Sequence, residues 1–413
     1  MNVEELVRDA LREQAEEQPS AGAGFADRVL AVRRRRRGRR IASAAAATVV
    51  AVAVAVGVPQ LDSGKDDVRP ADLLDGGWTS AHPDQSPPRD LIAVGDVALA
   101  AYYTLDTQDR GDHGVNVRTY WLLDPATGKY KKDTRWSYVA VAPGMRTAAV
   151  LERSLPAQRI GLLDLATGEV ARWIPVTHGV GGLAYSYDGT QLLATTYDEN
   201  PDLLTERAGL GDDGQVDERV EGDVTWVAPI EPSSRTGFLL IDPAGGSGDA
   251  WTALPDSQGF NPRSDLAFSR DGTLVYARIV GSRDGMQQFY DLAGNEVAAP
   301  ENERYLRSDV PARLSPDGSL AALGLTKEVP DKGYSSIRDP RTGKEITRVR
   351  GGVQIAWVDN RRLIAWEREA GSEEYRPRLA LVTLGSDKVK WLSGPREQRP
   401  DTQWNWEPIF VRR

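Results

Sequence analysis

The chain of 413 residues contains no cysteine. Disulfides, thiolate metal sites, iron–sulfur ligation, a lipid-modified cysteine anchor and a cysteine nucleophile are therefore excluded. Histidine is almost as scarce: His82, His113 and His178 are the three in the chain, which leaves little room for an imidazole-rich metal centre. No G-x-S-x-G elbow occurs, so an attached serine-peptidase domain is excluded as well. Lysine is rare beside arginine, 9 against 42, a bias that reflects base composition rather than chemistry. A surplus of positive charge is also missing. The net charge of −9 argues against a protein that coats nucleic acid.

The charge that is present is divided into three parts. Residues 1–40 carry +3, residues 41–61 carry none, and residues 62–413 carry −12. The uncharged run, Ile41 to Val58, is 18 residues long. As a helix it covers about 27 Å, close to a bilayer core of about 30 Å. Arg33, Arg34, Arg35, Arg36, Arg37, Arg39 and Arg40 precede it directly. By the positive-inside rule these arginines orient a single span with the N-terminus in the cytoplasm and the remainder outside the cell. A cleaved signal peptide fits less well. Its basic region would be about 40 residues long, and no clean A-x-A site follows the apolar run.

Within residues 1–40, Val3, Leu6, Val7, Ala10 and Leu11 recur at helical spacing and form one apolar face. Glu4, Glu5, Arg8, Asp9, Arg12 and Glu13 occupy the other. Such a short amphipathic helix needs something to cover its stripe. Two readings stand: a helix on the inner leaflet, or a docking segment for a cytosolic protein. The proline-containing stretch 62–89 reads as a linker from membrane to the exported part, 90–413.

That exported part is repetitive. One phrase, an apolar strand, Ser-x-Asp-Gly and a second apolar strand, occurs at 183–197, 266–279 and 312–325. A second phrase, an apolar strand, Asp-x-x-Thr-Gly and another strand, occurs at 120–130, 160–173 and 336–349. Glycine takes the positive-φ position of a tight hairpin, and aspartate ties the turn through its side chain. Asp188, Gly189, Asp271, Gly272, Asp317 and Gly318 in the first phrase, and Asp164, Thr167 and Gly168 in the second, are therefore assigned to turns. Repetition favours this structural role, because a catalytic group is needed once and a hairpin turn in every unit. One copy of each phrase makes four antiparallel strands, the content of a β-propeller blade. Copies of the first phrase, degenerate ones included, start near 91, 139, 183, 266, 312 and 353. The expected fold is thus all-β: a propeller of six four-stranded blades, with room for a seventh around VTWVAPIE (224–231), behind a short helical tail and one transmembrane helix. The tail strand WNWEPIFV (404–411) is expected to close the ring against a strand near Leu73–Thr79.

Residues 198–223 interrupt the repeat with an acidic run. It reads as a solvated loop. Calcium binding is the functional alternative, although the EF-hand spacing is absent.

The Ser-Pro-Asp-Gly and Asp-x-x-Thr-Gly phrases resemble those of bacterial TolB-like and WD-repeat-like propellers over roughly residues 90–411. The whole layout is similar to membrane-anchored propeller proteins of actinobacteria. Some short helical tails of that kind belong to partners or regulators of extracytoplasmic-function sigma factors, so the resemblance extends to a cytosolic regulator as tail partner. The zinc-binding His-x-x-x-Cys-x-x-Cys pattern of many such regulators is missing here.

Enzymatic signatures of propellers match poorly. The sialidase Asp-box has its glycine one place later than Gly272, and Asp164, Thr167, Gly168 and Trp173 depart from the quinoprotein motif at Leu162 and in the spacing of the tryptophan. The three histidines fall in no repeated position, and Trp404 and Trp406 read as packing of the closing strand. No catalytic residue, cofactor or metal is assigned. The sequence points to a membrane-anchored, non-enzymatic binding or sensing module. An exported propeller enzyme acting on cell-envelope material, hydrolase or quinoprotein-like, is the alternative.

Overall fold

A computed structural model describes residues 78–413 except 207–225, 230–231, 246–249, 256–261, 279–286, 330–331, 369–374 and 400–402. The expected tail (1–40), span (41–61), linker residues 62–77 and insertion residues 207–223 lie outside the described residues. With them lie Val3, Leu6, Val7, Ala10, Leu11 and the Arg33–Arg40 cluster. Among the described residues no helix is long and apolar enough to cross a membrane. All regular structure there is β.

The fold grows from its hairpins. In Ser-x-Asp-Gly the serine hydroxyl donates to the aspartate: Ser186 to Asp188 at 2.6 Å, and Ser269 to Asp271 and Ser315 to Asp317 at 2.7 Å each. The same aspartates accept the backbone N–H and hydroxyl of Thr190, Thr273 and Ser319. The turn glycines Gly189, Gly272 and Gly318 have φ of 75°, 73° and 72°. In the second phrase Asp164 accepts the N–H groups of Ala166 and Thr167, and Gly168, at φ 73°, donates to the Asp164 carbonyl at 2.8 Å. Each turn is therefore closed by its own side chains.

These hairpins join into units of four antiparallel strands. Trp136–Val141, Thr147–Glu152, Ala157–Asp164 and the first half of the long strand Val170–Tyr185 form one unit. The second half of that strand begins the next, followed by Leu192–Tyr197, Arg235–Ile241 and Trp251–Ala253. Ala267–Phe268, Leu274–Arg278, Gln287–Asp291 and Glu296–Val297 follow. Ala321–Val329, Lys332–Arg338 and Glu345–Arg350 come next, with Leu314 bridged to Ala321 on their inner side. Val353–Trp357, Arg362–Glu367, Arg378–Thr383 and Val389–Pro395 make a further unit. The remaining one combines Val97–Asp109, Gly114–Asp124 and Lys129–Asp133 with the C-terminal strand Glu407–Arg412.

Among the described residues apolar clusters lie at five of the six junctions between neighbouring units. Leu123 and Ala101 pack with Val150 and Leu163. Leu151 and Ile160 pack with Leu183 and Leu239. Leu193 and Phe238 pack with Phe268 and Val275. Ile337 and Val349 pack with Leu363 and Val382. Ile364 and Trp366 pack with Ile92, Leu99 and Trp406, which joins the last unit to the first. Burial of this surface holds the units side by side. The described strands thus build a propeller-like ring of six units, numbered blades 1–6 from the one that starts at Val97.

Two expectations are corrected. The closing strand pairs with Val97–Tyr103, in the register Glu407–Tyr103 and Val411–Ala98, not with a strand near Leu73–Thr79. Thr79–Ser80 instead pairs with Ala93–Val94. Blade 1 has no innermost strand of its own, because Ala93–Val94 turns back at Gly95 (φ 55°). The chain end supplies it. The strand expected to belong to a seventh blade, Trp226–Val227, pairs with Leu203–Glu206, whose Leu203 and Leu204 pair with Val115 and Gly114 of blade 1. Leu203–Glu206 and Trp226–Val227, which fall between the second and third strands of blade 3 in the chain, therefore extend the sheet of blade 1.

Candidate functional site

The innermost strands of all six blades face a shared central cavity of about 840 Å³. Its wall takes Glu407–Arg412 from blade 1, Tyr138–Val141 from blade 2, and Leu183 and Tyr185–Tyr187 from blade 3. Asp265 and Ala267–Arg270 line it from blade 4, Pro311–Leu314 and Pro316 from blade 5, and Ile355–Trp357 from blade 6. A cavity of this size suits a small ligand or a short segment of a larger one.

One end, called upper here, is a closed charge network. Arg118 donates to Asp202 in a bidentate pair at 2.6 and 3.1 Å. Arg263 donates to the same carboxylate at 3.0 and 2.8 Å, and to Asp265 at 2.8 Å. Tyr197 donates to Asp265 at 2.8 Å and accepts the Ser264 N–H at 2.9 Å. The Tyr138 ring lies under both guanidiniums, 5.9 Å from that of Arg118 and 5.4 Å from that of Arg263. Arg118 and Asp202 are buried. Burial alone would raise the Asp202 carboxyl, but Arg263 and Arg118 outweigh it and hold the group below the usual carboxylate range. Beside the network, Glu407 is pushed up by burial despite its 2.9 Å pair with Arg396.

The approach of these groups requires glycine on the strand entering blade 3. A Cβ on Gly182 would stand 2.2 Å from Asp265 Oδ1, and one on Gly181 would stand 2.6 Å from the Tyr197 ring. Asp202 lies in the segment read from sequence as a solvated loop. It is instead buried between two arginines, which tie that segment to the cavity wall. Arg118 and Arg263 fall outside both repeated phrases and were missed. The available signal was a lone arginine in the apolar strand GVNVRTYWLL.

The opposite, lower end lies at the Ser-x-Asp-Gly turns. Asp188, Asp271 and Asp317 sit in these turns with their hydroxyl partners, as described above. The intervening residue x lines the cavity in each: Tyr187 in blade 3, Arg270 in blade 4 and Pro316 in blade 5, with Ser186 and Ser269 beside it in the first two. Pro143 lines the same rim from the degenerate turn of blade 2. Arg412 of the closing strand joins them. The Arg270 guanidinium lies 3.2 Å from the centre of the Tyr187 ring and donates to the Pro316 carbonyl at 2.7 Å. Arg412 donates to the Tyr187 hydroxyl. Burial lowers the Arg270 pKa from its ordinary value. Deeper in, Glu303 accepts the Arg270 backbone N–H and the Arg313 guanidinium, both at 2.6 Å. Arg313 also covers Tyr276 at 4.1 Å.

The other residues singled out by sequence stand apart from the cavity. Asp164, Thr167 and Gly168 form the outer turn of blade 2. His113 pairs with Asp112 on an exposed loop at 2.6 Å, His82 contacts Ser80, and His178 stacks on Trp251 at 4.1 Å. Trp406 is buried against Trp366 and Tyr102, while Trp404 is half-buried beside Arg396 and Tyr375.

No family model matches the chain, and no curated protein matches it. Among solved structures it is similar to TolB from Acinetobacter baumannii at 14% identity and a TM-score of 0.35, over 71% of this chain and 67% of that one. It is also similar to the β-propeller domain of Cps50 (Swd1) from Myceliophteria thermophila, at 14% identity and a TM-score of 0.30, over 72% and 99% of the two chains. A third similar structure is Pyrococcus horikoshii acylaminoacyl peptidase, at 16% identity and a TM-score of 0.37, over 78% of this chain and 48% of that one.

Proposed function

We propose that the chain is a non-enzymatic binding protein, held in the membrane by residues 41–61, whose six-bladed ring lies outside the cell and takes a ligand or an envelope partner into its central cavity. The observation that carries the binding role is the cavity itself. All six innermost strands contribute to it, and among its apolar wall residues it sets arginine, tyrosine and carboxylate side chains, Arg118, Arg263, Arg270, Arg412, Tyr138 and Asp265 among them. Rings of this kind present a rigid surface at little conformational cost. The membrane placement rests on the uncharged run and the arginines before it. The tail face of Val3, Leu6, Val7, Ala10 and Leu11 gives the cytoplasmic side a means of holding a cytosolic regulator, of which a sigma factor is the suggested kind.

The absence of cysteine makes the test clean. Ser20→Cys and Glu301→Cys each introduce a single thiol, one in the tail and one on the exposed surface of the ring. In intact cells a membrane-impermeant maleimide is expected to label Glu301→Cys and not Ser20→Cys, and both are labelled after lysis. Labelling of the tail from outside, or of neither before lysis, overturns the placement.

A further inference from the structure

At the lower rim two guanidiniums stand without an ion pair among the described residues, while the turn aspartates Asp188, Asp271 and Asp317 are taken up by the hydroxyl and N–H groups of their own turns. Arg270, Arg313 and Arg412 line it with Glu303. Glu303 is committed to the Arg313 guanidinium and the Arg270 backbone. Among the described residues neither the Arg270 nor the Arg412 guanidinium pairs with a carboxylate. Arg270 is directed to a carbonyl, and Arg412 to a phenol. Two cations around one tyrosine repel each other, and the chain as a whole is acidic, so such a pair of cations is not a general property of its surface. Tyr187 between them is 37% exposed, with the Arg270 and Arg412 guanidiniums 3.2 and 5.1 Å from its ring centre.

Resting on the cavity as the binding site, we infer that Arg270 and Arg412 around Tyr187 form a subsite for an oxyanion, the carboxylate or phosphate group of the ligand that enters the lower mouth. Planar guanidiniums suit such groups because their N–H donors match paired oxygens. Tyr187 supplies a surface for the adjoining part of the ligand. The repeat explains how the site is built: serine, aspartate and glycine fix each turn, and x is left free to carry recognition.

Arginine footprinting on the purified full chain tests this without a variant. The chain is treated with phenylglyoxal, and modification is read residue by residue by mass spectrometry. Inorganic phosphate and citrate serve as separate probes, each compared with sodium chloride at the same ionic strength. Selective, several-fold slower modification of Arg270 and Arg412, with Arg341 on an outer turn of blade 5 unchanged, is the expected result. Protection by phosphate alone, by citrate alone or by both identifies the group preferred. Equal rates in all three salts, or protection spread evenly over Arg341, overturns the subsite. An Arg412→Gln chain then reports on sharing: protection at Arg270 is expected to fall, and full protection there overturns the joint role. The labelling experiment above reads only the side of the membrane, so either result is independent of the other.

Discussion

The two ends of the central cavity are built from the same residue types and work in opposite ways. At the upper end two arginines and two aspartates cancel, every charge has a short partner, and the network fastens Asp198–Glu206 to blades 1 and 4. At the lower end the acids are bonded to their own turns or to Arg313, and two arginines donate only to neutral oxygens. A balanced buried network contributes to the integrity of the ring. An open one, whose cations donate to neutral oxygens, retains unsatisfied capacity for a ligand. The same side chain is thus structural or available according to what faces it.

The largest expected effect lies at the upper end. Asp202→Asn removes the carboxylate shared by Arg118 and Arg263 and leaves buried positive charge. A loss of about 3–5 kcal/mol is expected in denaturant unfolding. A loss below about 1 kcal/mol would mean that the network is not fastening the ring. Next is Gly182→Ala, whose Cβ collides with Asp265 Oδ1 at 2.2 Å. Displacing that carboxylate is expected to cost about 1–3 kcal/mol, read as a lower unfolding midpoint.

Acid sharpens the contrast further. Arg263 and Arg118 depress the Asp202 pKa below its unfolded value. Its contribution is therefore full above the ordinary carboxylate pKa and is lost as pH falls through the depressed folded value. Unfolding curves of the native chain should lose stability across that acidic window, and those of Asp202→Asn should lose less. Parallel pH profiles would remove Asp202 from the account.

Smaller effects follow at the turns and the rim. Ser269→Ala deletes a hydroxyl that donates to Asp271 at 2.7 Å and accepts the Leu274 N–H at 3.0 Å, so about 1 kcal/mol is expected in the same measurement. Arg412→Gln is the mildest. It removes one of two repelling cations, and its stability should stay within about 0.5 kcal/mol of the native chain.

What the sequence made legible follows the range of the interactions. The turns at Asp188, Asp271 and Asp317 close on residues within five positions of the serine, so composition and spacing suffice to find them. The alternation of apolar residues around them reveals strands for the same reason. The register of the closing strand is different. Pro408 pairs with Tyr102, some three hundred positions away in the chain, and nothing local distinguishes that partner from another apolar strand. Asp202 was hidden by composition. It belongs to an acidic run, and only the fold brings Arg118 and Arg263 to it. Tyr187 and Arg270 were hidden by the logic that identified the turns, since attention to what repeats passes over the position that varies. At that position the turns contribute Tyr187, Arg270 and Pro316 to the lower mouth of the cavity.

The most direct test sets one residue from each end in the same assay. Thermal unfolding is followed for the native chain, Asp202→Asn and Arg412→Gln, each with and without inorganic phosphate at constant ionic strength. Binding to the folded state raises the midpoint of a competent chain. The account predicts that Asp202→Asn melts well below the native chain and keeps its rise with phosphate. It predicts that Arg412→Gln melts with the native chain and loses most of that rise. If Arg412→Gln loses as much stability as Asp202→Asn, or retains the full rise, the division of the cavity into a structural end and a binding end is contradicted.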